Sequence, residues 1–340
     1  MKIIIDAMSG DKAPEEIVKG AVMARQELGV DVVLVGRQEV VKACLEKEGC
    51  TDMEVVDARD VITMEDDPST ATRRKKDASM TVALTMLRDG LGDAVVSAGS
   101  TGALLTGATL IVKRINGIRR AALAPVLPNG GKGVVLIDSG ANVDCTPEYL
   151  LQFAYMGSFY ARTMLGLENP RVGLANVGTE DTKGGVLQHE TFQLLKEAGE
   201  AGRINFIGNV EGNGVFSGDV DVLVADGFTG NLMLKTAESM IKFMMGNLKS
   251  VFYKSLKNKL AAAVLKGDLA QMKKTLDVKE VGGTVMLGIS RPVIKAHGSS
   301  KAKAIKNAIR QARLCVESDL VGTMTEALAA LEQPKPEENA

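Results

Sequence analysis

Two glycine-rich turns carry most of the chemistry that can be read from this chain: Ser97-Ala98-Gly99-Ser100-Thr101-Gly102-Ala103 and Ala225-Asp226-Gly227-Phe228-Thr229-Gly230-Asn231-Leu232. Each follows an apolar run that reads as a buried strand and precedes a helical pattern. A turn of this kind leaves the N–H groups of the helix's first turn facing whatever sits above it, at the positive end of the helix dipole. Gly99, Ser100, Thr101, Gly102, Asp226, Gly227, Gly230 and Asn231 are therefore expected around a phosphate-sized anion. Other polar loops add side chains: Asp138, Asn142 and Asp144 on one, Glu180 and Lys183 on a second, Asn209 on a third, and His297 within Lys295-Ala296-His297-Gly298-Ser299-Ser300. Lys183 suits a phosphate or an oxyanion. His297 suits a general acid, or a hydrogen bond that holds its loop. Asp138, Asp144, Glu180 and Asp226 are hard-cation ligands in type, but single acids at strand ends also cap helices and order turns, and no metal is assigned.

What is missing narrows the reaction. There is no G-x-S-x-G elbow, and no cysteine has an activating neighbour; Cys145 follows Asp144, whose charge raises a thiol pKa. G-x-G-x-x-G is absent after the first strand, where the chain reads Asp6-Ala7-Met8-Ser9-Gly10-Asp11, so a dinucleotide site is disfavoured. A chain without a protein nucleophile or a dinucleotide fingerprint fits direct attack by a bound oxyanion. The protein then supplies position and charge.

The elements that must hold these residues alternate. β-branched apolar runs at Lys2–Asp6, Asp31–Gly36, Met53–Ala58, Asp93–Ala98, Gly133–Asp138, Arg171–Val177, Asn205–Val210 and Asp221–Ala225 are separated by helical patterns such as Ala13–Leu28, Gln38–Lys47, Ser79–Arg88, Glu148–Leu165 and Leu232–Phe252. Continuous apolar strands between helices predict an α/β fold with a mostly parallel sheet covered on both faces, in three α/β/α layers. The polar tips then collect along one sheet edge, outside the carboxyl ends of the strands.

Residues 1–332 read as one two-lobed unit, with a basic amphipathic segment, Gly246–Lys279, protruding from it. That segment carries lysines at 249, 254, 257, 259, 266, 273 and 274 against the single acid Asp268, with Phe252, Leu256, Leu260, Val264 and Leu265 as its apolar side. Such a segment fits an anionic membrane surface, a dimer interface or an acidic protein, or is a solvated basic face. Arg73-Arg74-Lys75-Lys76 fits an acidic partner or a phosphate, or is a solvated cluster. The tail 333–340 reads as disordered.

Composition excludes several classes. Net charge is −1, tryptophan is absent and aromatics are 4%, which argues against a nucleic-acid partner. The four cysteines form no C-x-x-C pair and read as reduced thiols. The N-terminus enters a strand at once and no stretch is apolar enough to span a bilayer, so the cytoplasm is the expected location.

Taken in order, Arg73-Arg74-Lys75-Lys76 with Ser79-Met80, Ser97-Ala98-Gly99 with Thr101-Gly102-Ala103-Leu104, Gly140-Ala141-Asn142-Val143-Asp144, Asn176-Val177-Gly178-Thr179-Glu180 with Lys183-Gly184, Asp226-Gly227-Phe228-Thr229-Gly230-Asn231, and Lys295-Ala296-His297-Gly298-Ser299 resemble the PlsX family of acyl-[acyl-carrier-protein]:phosphate acyltransferases over nearly the whole chain. The resemblance implies a fold like isopropylmalate dehydrogenase and phosphotransacetylase, a homodimer, and peripheral association with the inner face of the membrane. It implies no cofactor, and transfer of a long-chain acyl group from acyl carrier protein to inorganic phosphate, for phospholipid synthesis. On that reading Lys183, Asn231 and His297 are catalytic, Gly99–Gly102 hold phosphate, and Asp138, Asn142 and Asp226 position. The chain departs from the family's usual first loop at Ser9 and Lys12, and from its Gly-Asn-Thr-Gly at Ser100, which replaces an amide with a hydroxyl. A short-chain phosphotransacylase using acyl-CoA, and a non-catalytic scaffold for membrane or carrier protein, are the alternatives.

Overall fold

The computed structural model describes residues 1–276 and 282–332. Strands form where apolar residues are buried, on both faces except in the edge strands β3 and β9: β1 (Lys2–Asp6), β2 (Asp31–Gly36), β3 (Glu54–Asp57), β4 (Ala94–Ser97), β5 (Ala122–Ala124), β6 (Val126–Leu127), β7 (Val134–Ile137), β8 (Arg171–Ala175), β9 (Asn205–Val210), β10 (Val222–Val224), β11 (Thr284–Leu287) and β12 (Val293–Lys295). The helices are α1 (Glu15–Leu28), α2 (Gln38–Lys47), α3 (Ala71–Arg74), α4 (Ser79–Arg88), α5 (Thr101–Gly107), α6 (Pro147–Leu165), α7 (Val186–Glu200), α8 (Gly227–Tyr253), α9 (Leu256–Val264), α10 (Lys266–Leu276), α11 (Ala302–Glu317) and α12 (Leu320–Glu332). Their ends follow local chemistry. Thr146-Pro147 opens α6 with proline in its first turn, and Gly166 closes it in the left-handed region.

Among the described residues the strands form two sheets, not the single sheet the alternation predicts. One runs β3-β2-β1-β4-β12-β11-β5, the other β6-β7-β10-β8-β9. Parallel pairing dominates both. The antiparallel pairs are β12/β11, β11/β5 and β6/β7. β5 and β6 are separated by Pro125 alone, so the chain leaves one sheet and enters the other across one residue. That residue has no N–H to pair, while its carbonyl still accepts from Leu136 N at 3.0 Å.

The sheets share a core. One apolar cluster holds Ile3, Ile5 and Val96 of the first sheet together with Val135, Ile137 and Val222 of the second, bridged by Phe153, Tyr160, Ile305 and Ile309 of α6 and α11. Separate clusters fill the opposite face of each sheet. Strand tips from the two sheets therefore converge from two directions instead of lining one edge.

Candidate active site

In the first sheet, β2 and β3 lie to one side of β1 and β4 to the other, so the strand order reverses between β1 and β4, the usual crevice of an open α/β sheet. There the buried Asp6 carboxylate accepts the Ser79 and Ser97 hydroxyls, each at 2.6 Å. This knot fixes the end of β4, from which α5 starts. Ser100 Oγ accepts from Ala103 N at 3.5 Å, and the N–H groups of Thr101 and Gly102 have no partner within their helix.

The second glycine turn behaves differently. Gly227–Leu232, read from sequence as a turn before a helix, is already the start of α8. The donors of Gly227, Thr229 and Gly230 are taken. Gly227 N donates to Asn142 O at 2.7 Å, Thr229 N to Asp226 Oδ1 at 2.8 Å, and Gly230 N to Asp226 O at 2.9 Å. A Cβ on Gly230 would stand 1.9 Å from Asp138 O, so only glycine permits this approach. The expectation of two matching anion turns resolves into one open helix start, at α5, and one joint that clamps α8 to the 138–142 loop.

That loop is held by Asp138. Its buried carboxylate accepts from the amides of Leu123 (2.9 Å), Ser139 (2.7 Å), Ala141 (3.0 Å) and Asn142 (2.6 Å), and from Asn142 Nδ2 (3.1 Å). Burial pushes the carboxyl up while these donors oppose it. With its oxygens turned inward, Asp138 orders the loop, and Asn142 ties it to Ala121 O at 2.8 Å. Cys145 Sγ donates back to Asn142 O, and burial above all pushes its thiol up to about 11, which suits an inert residue.

Between the two sheets lies a cavity of about 320 Å³, lined by Thr101 of α5, Ser139 and Gly140 of the β7 loop, Asn231, Lys235 and Glu238 of α8, Lys295 of β12, and His297 and Ser300 beyond it. Of its two cations, Lys295 stands in the run quoted with His297 from the sequence, without a site role given to it, and Lys235 was not singled out. Lys295 sits at the end of β12, and its ammonium donates to Ala296 O. Burial first, and the Lys235 charge second, push it down to about 8 against the pull of Asp11 and Asp6. Lys235 is half-exposed and pairs with Glu238 at 3.2 Å. The signal for Lys235 was its helical spacing from Asn231, one turn away on the same face. His297 Nδ1 accepts from Ser299 N at 3.2 Å; a backbone N–H can only donate, so the neutral ring carries its proton on Nε2.

Of the residues nominated from sequence, Thr101, Asn231 and His297 line this cavity, with Gly99, Ser100, Gly102, Asp138, Asn142, Asp226, Gly227 and Gly230 in the walls behind them. Lys183 does not line it. It is exposed beyond β8, 3.9 Å from Glu180 Oε1, and Glu180 O accepts from Asn209 Nδ2 at 2.9 Å. The β8 and β9 tips thus form their own cluster at the far side of the second sheet. Asp144 is exposed on the outer side of the 138–144 loop. Arg73, Arg74 and Lys76 are exposed, whereas Lys75 is tied to Asp66 at 2.9 Å and Val61 O at 2.8 Å. Asp138, Asp144, Glu180 and Asp226 are not drawn together, and among the described residues no three or more His, Cys, Asp or Glu side chains group as metal ligands.

Comparison with known proteins adds the decisive observation. A family model described as "Fatty acid synthesis protein" matches residues 1–322. A phosphate acyltransferase of Geobacillus sp. (strain WCH70) is 47% identical over 330 residues, covering 96% of this chain and 98% of that protein. A phosphate acyltransferase of Clostridium acetobutylicum is 45% identical over 334 residues, covering 97% and 100%. This chain belongs to the PlsX family of phosphate acyltransferases.

As a phosphate acyltransferase of fatty acid and phospholipid synthesis, the enzyme has a fold shared more widely. A phosphotransacetylase from Streptococcus pyogenes superposes with a TM-score of 0.61 at 17% identity, covering 95% of this chain and 94% of that one. A 4-hydroxythreonine-4-phosphate dehydrogenase from Klebsiella pneumoniae gives 0.51 at 15%, covering 93% and 98%. At such identities the likeness speaks for the fold alone. The basic segment falls on the end of α8 and on α9 and α10. α8 is 27 residues long, and only Gly227, Gly230 and Ala237 of it are buried. Leu256, Leu260 and Val264, four residues apart along α9, are 76%, 63% and 85% exposed, with Leu265 beside them and Phe252 half-buried at the end of α8. No described helix is long and apolar enough to cross a membrane. Residues 277–279 of the basic segment and the tail 333–340 lie outside the described residues.

Proposed function

We propose that the enzyme transfers a long-chain acyl group from the thioester of acyl carrier protein to inorganic phosphate. The observation that carries the reading is the meeting of Lys295, Lys235, His297 and Asn231 with the open start of α5 in one cavity between the sheets. Phosphate sits on the Thr101 and Gly102 N–H groups with Lys295 and Lys235 balancing its charge. A phosphate oxygen attacks the thioester carbonyl; Asn231 donates to the oxyanion that forms, and the C–S bond then breaks. The proton carried by the entering phosphate passes to the leaving sulfur, and His297 Nε2–H donates a hydrogen bond to that sulfur as its charge develops. Acyl phosphate and a free thiol result, with no redox cofactor and no covalent enzyme intermediate. In this scheme Lys295 takes the place that the sequence reading gave to Lys183.

The apolar face of α9, flanked by Lys254, Lys257 and Lys259, supports peripheral contact with an anionic membrane, where a hydrophobic product can leave. The exposed Leu232, Met240 and Phe243 of α8 support a second copy of the chain as its cover, giving a homodimer. The test is release of free carrier protein from palmitoyl-acyl carrier protein, with and without phosphate, trapping acyl phosphate with hydroxylamine. Phosphate-dependent release with a trapped product supports the reading. Turnover of short-chain acyl-CoA alone replaces it with the phosphotransacylase, and no turnover with either thioester favours a scaffold.

A further inference from the structure

A second groove adjoins the cavity. Leu105, Leu110 and Val143 line it together with Thr106, Asn142 and Asp144, with Arg114 and Arg120 at its rim, and it has a volume of about 440 Å³. The two spaces share their walls. Thr101 of the cavity and Leu105 of the groove are one helical turn apart on α5. Ala121 of the groove lies two residues before Leu123 of the cavity, and Gly140 of the cavity is followed directly by Ala141 and Asn142 of the groove. One helix face, one strand face and one loop thus run from the anion site out to the surface.

The mouth of this groove is basic and firmly built. Lys113, Arg114, Arg119 and Arg120 fall within eight residues that contain no acid. Ile115 N donates to Gly288 O at 2.9 Å, Ser290 N to Lys113 O at 3.0 Å, Arg119 N to Gln152 Oε1 at 2.9 Å, and Gln152 Nε2 to Gly117 O at 2.9 Å, so the loop is fastened to both the β11–β12 turn and α6. The Arg120 guanidinium lies 5.3 Å from the centre of the Tyr149 ring. Among the described residues neither Lys113 nor Arg120 is in an ion pair, and the acids nearby are Asp144 and Glu148. Leu110 and Val143, 62% and 61% exposed, flank the opening.

We propose that this basic mouth docks an acidic protein that carries the thioester on a flexible arm, and that the arm runs along the α5–β5 groove to the cavity. The proposal rests on the acyltransferase reading above and names the surface its donor uses. Charge complementarity selects the protein, and a groove of mixed polar and apolar lining that leads from the basic mouth toward the cavity selects a linear arm. The Arg73–Lys76 run lies on the other flank of α5, where α3 packs, and is the competing surface.

The experiment measures binding of fluorescently labelled acyl carrier protein, and turnover of palmitoyl-carrier protein and of palmitoyl-pantetheine. It compares the wild type with Lys113→Glu/Arg120→Glu and with Arg73→Glu/Arg74→Glu. The first variant is expected to weaken carrier binding and raise KM for the carrier thioester about tenfold or more, with a flatter salt dependence, while palmitoyl-pantetheine turnover is unchanged. Lys113→Gln/Arg120→Gln gives a smaller shift in the same direction and covers a failure of the double reversal to fold. Unchanged carrier binding in the first variant, a loss confined to the Arg73/Arg74 variant, or a loss of anionic-vesicle binding in place of carrier binding overturns the proposal. A wild type that makes no acyl phosphate from either thioester overturns the acyltransferase reading instead, and carrier binding still decides the surface.

Discussion

The cavity between the sheets and the α8–α10 arm are both rich in apolar residues and lysine, and they use them in opposite ways. At the cavity, apolar strands are buried completely and their polar tips are held by buried knots at Asp6 and Asp138. Lys295 is partly desolvated there, and its charge is kept near balance at about 8. Along the arm, Leu256, Leu260 and Val264 stand in solvent, and Lys249 and Lys259 flank the Tyr253 ring at 5.8 Å each. A lysine in the first setting is worth a large electrostatic effect because water is excluded; one in the second is screened and acts only through numbers. The contrast separates a region where a lysine is desolvated from one where apolar side chains and lysines both face solvent.

The sharpest way to break this contrast is at the cations. Lys295→Ala is expected to lower kcat/KM for phosphate by about 100-fold or more with the fold intact by circular dichroism. Lys183→Ala, at an exposed residue paired only loosely with Glu180, is expected to stay within about threefold. If Lys183→Ala collapses and Lys295→Ala does not, the phosphate site moves to the β8 tip.

Next come the glycines, one in each region. Gly230→Ala drives a methyl into Asp138 O and is expected to cost about 3 kcal/mol or more in urea denaturation. Gly246→Ala, in α8 with nothing near its Cβ position, is expected to stabilise its helix by about 0.5–1 kcal/mol. Equal effects would mean that the α8 joint is no tighter than the arm.

On the arm side, Leu256→Asp/Leu260→Asp is expected to lower partition onto anionic vesicles about tenfold or more, with turnover of soluble thioester unchanged. Vesicle binding that survives the change would remove α9 from membrane contact.

The pH dependence gives a smaller, signed effect. Lys295 is a cation below about 8 and neutral above it, so kcat/KM for phosphate is expected to fall about tenfold between pH 7 and 9, and Lys295→Arg is expected to flatten the profile. Stability moves the other way. Between about 8 and the ordinary 10.5 the unfolded chain binds a proton that the folded one has released, so this residue makes the fold more stable as pH rises through that window. A profile that is flat in the wild type would place Lys295 outside phosphate binding.

Much of the molecule was legible because its signals are local. The eight apolar runs became β1–β4 and β7–β10, with β3, β4, β7 and β10 one residue shorter at each end and β8 two residues shorter at its C-terminal end, since a run of apolar β-branched residues needs nothing but its own residues to announce itself. β5 and β6 were missed: three and two residues beside prolines offer no periodicity, and they are strands only because partners in two different sheets complete them. β11 and β12 were missed for a related reason, as they join the first sheet from far along the chain, β12 parallel to β4 and β11 antiparallel to β12 and β5.

The site divides the same way. Composition and order alone determined that this is an α/β protein whose polar strand tips include Thr101, Asn231 and His297, because turn glycines and capping residues act on their own neighbours. Tertiary structure alone decided that the tips face each other across two sheets, that the Gly227 donor at the start of α8 is spent on Asn142 of the 138–142 loop, and that Lys295 and Lys235 reach the cavity while Lys183 does not. The physical reason is range. Hydrogen-bonded turns are settled within a few residues, whereas desolvation and the meeting of like charges depend on segments that only the folded core brings together.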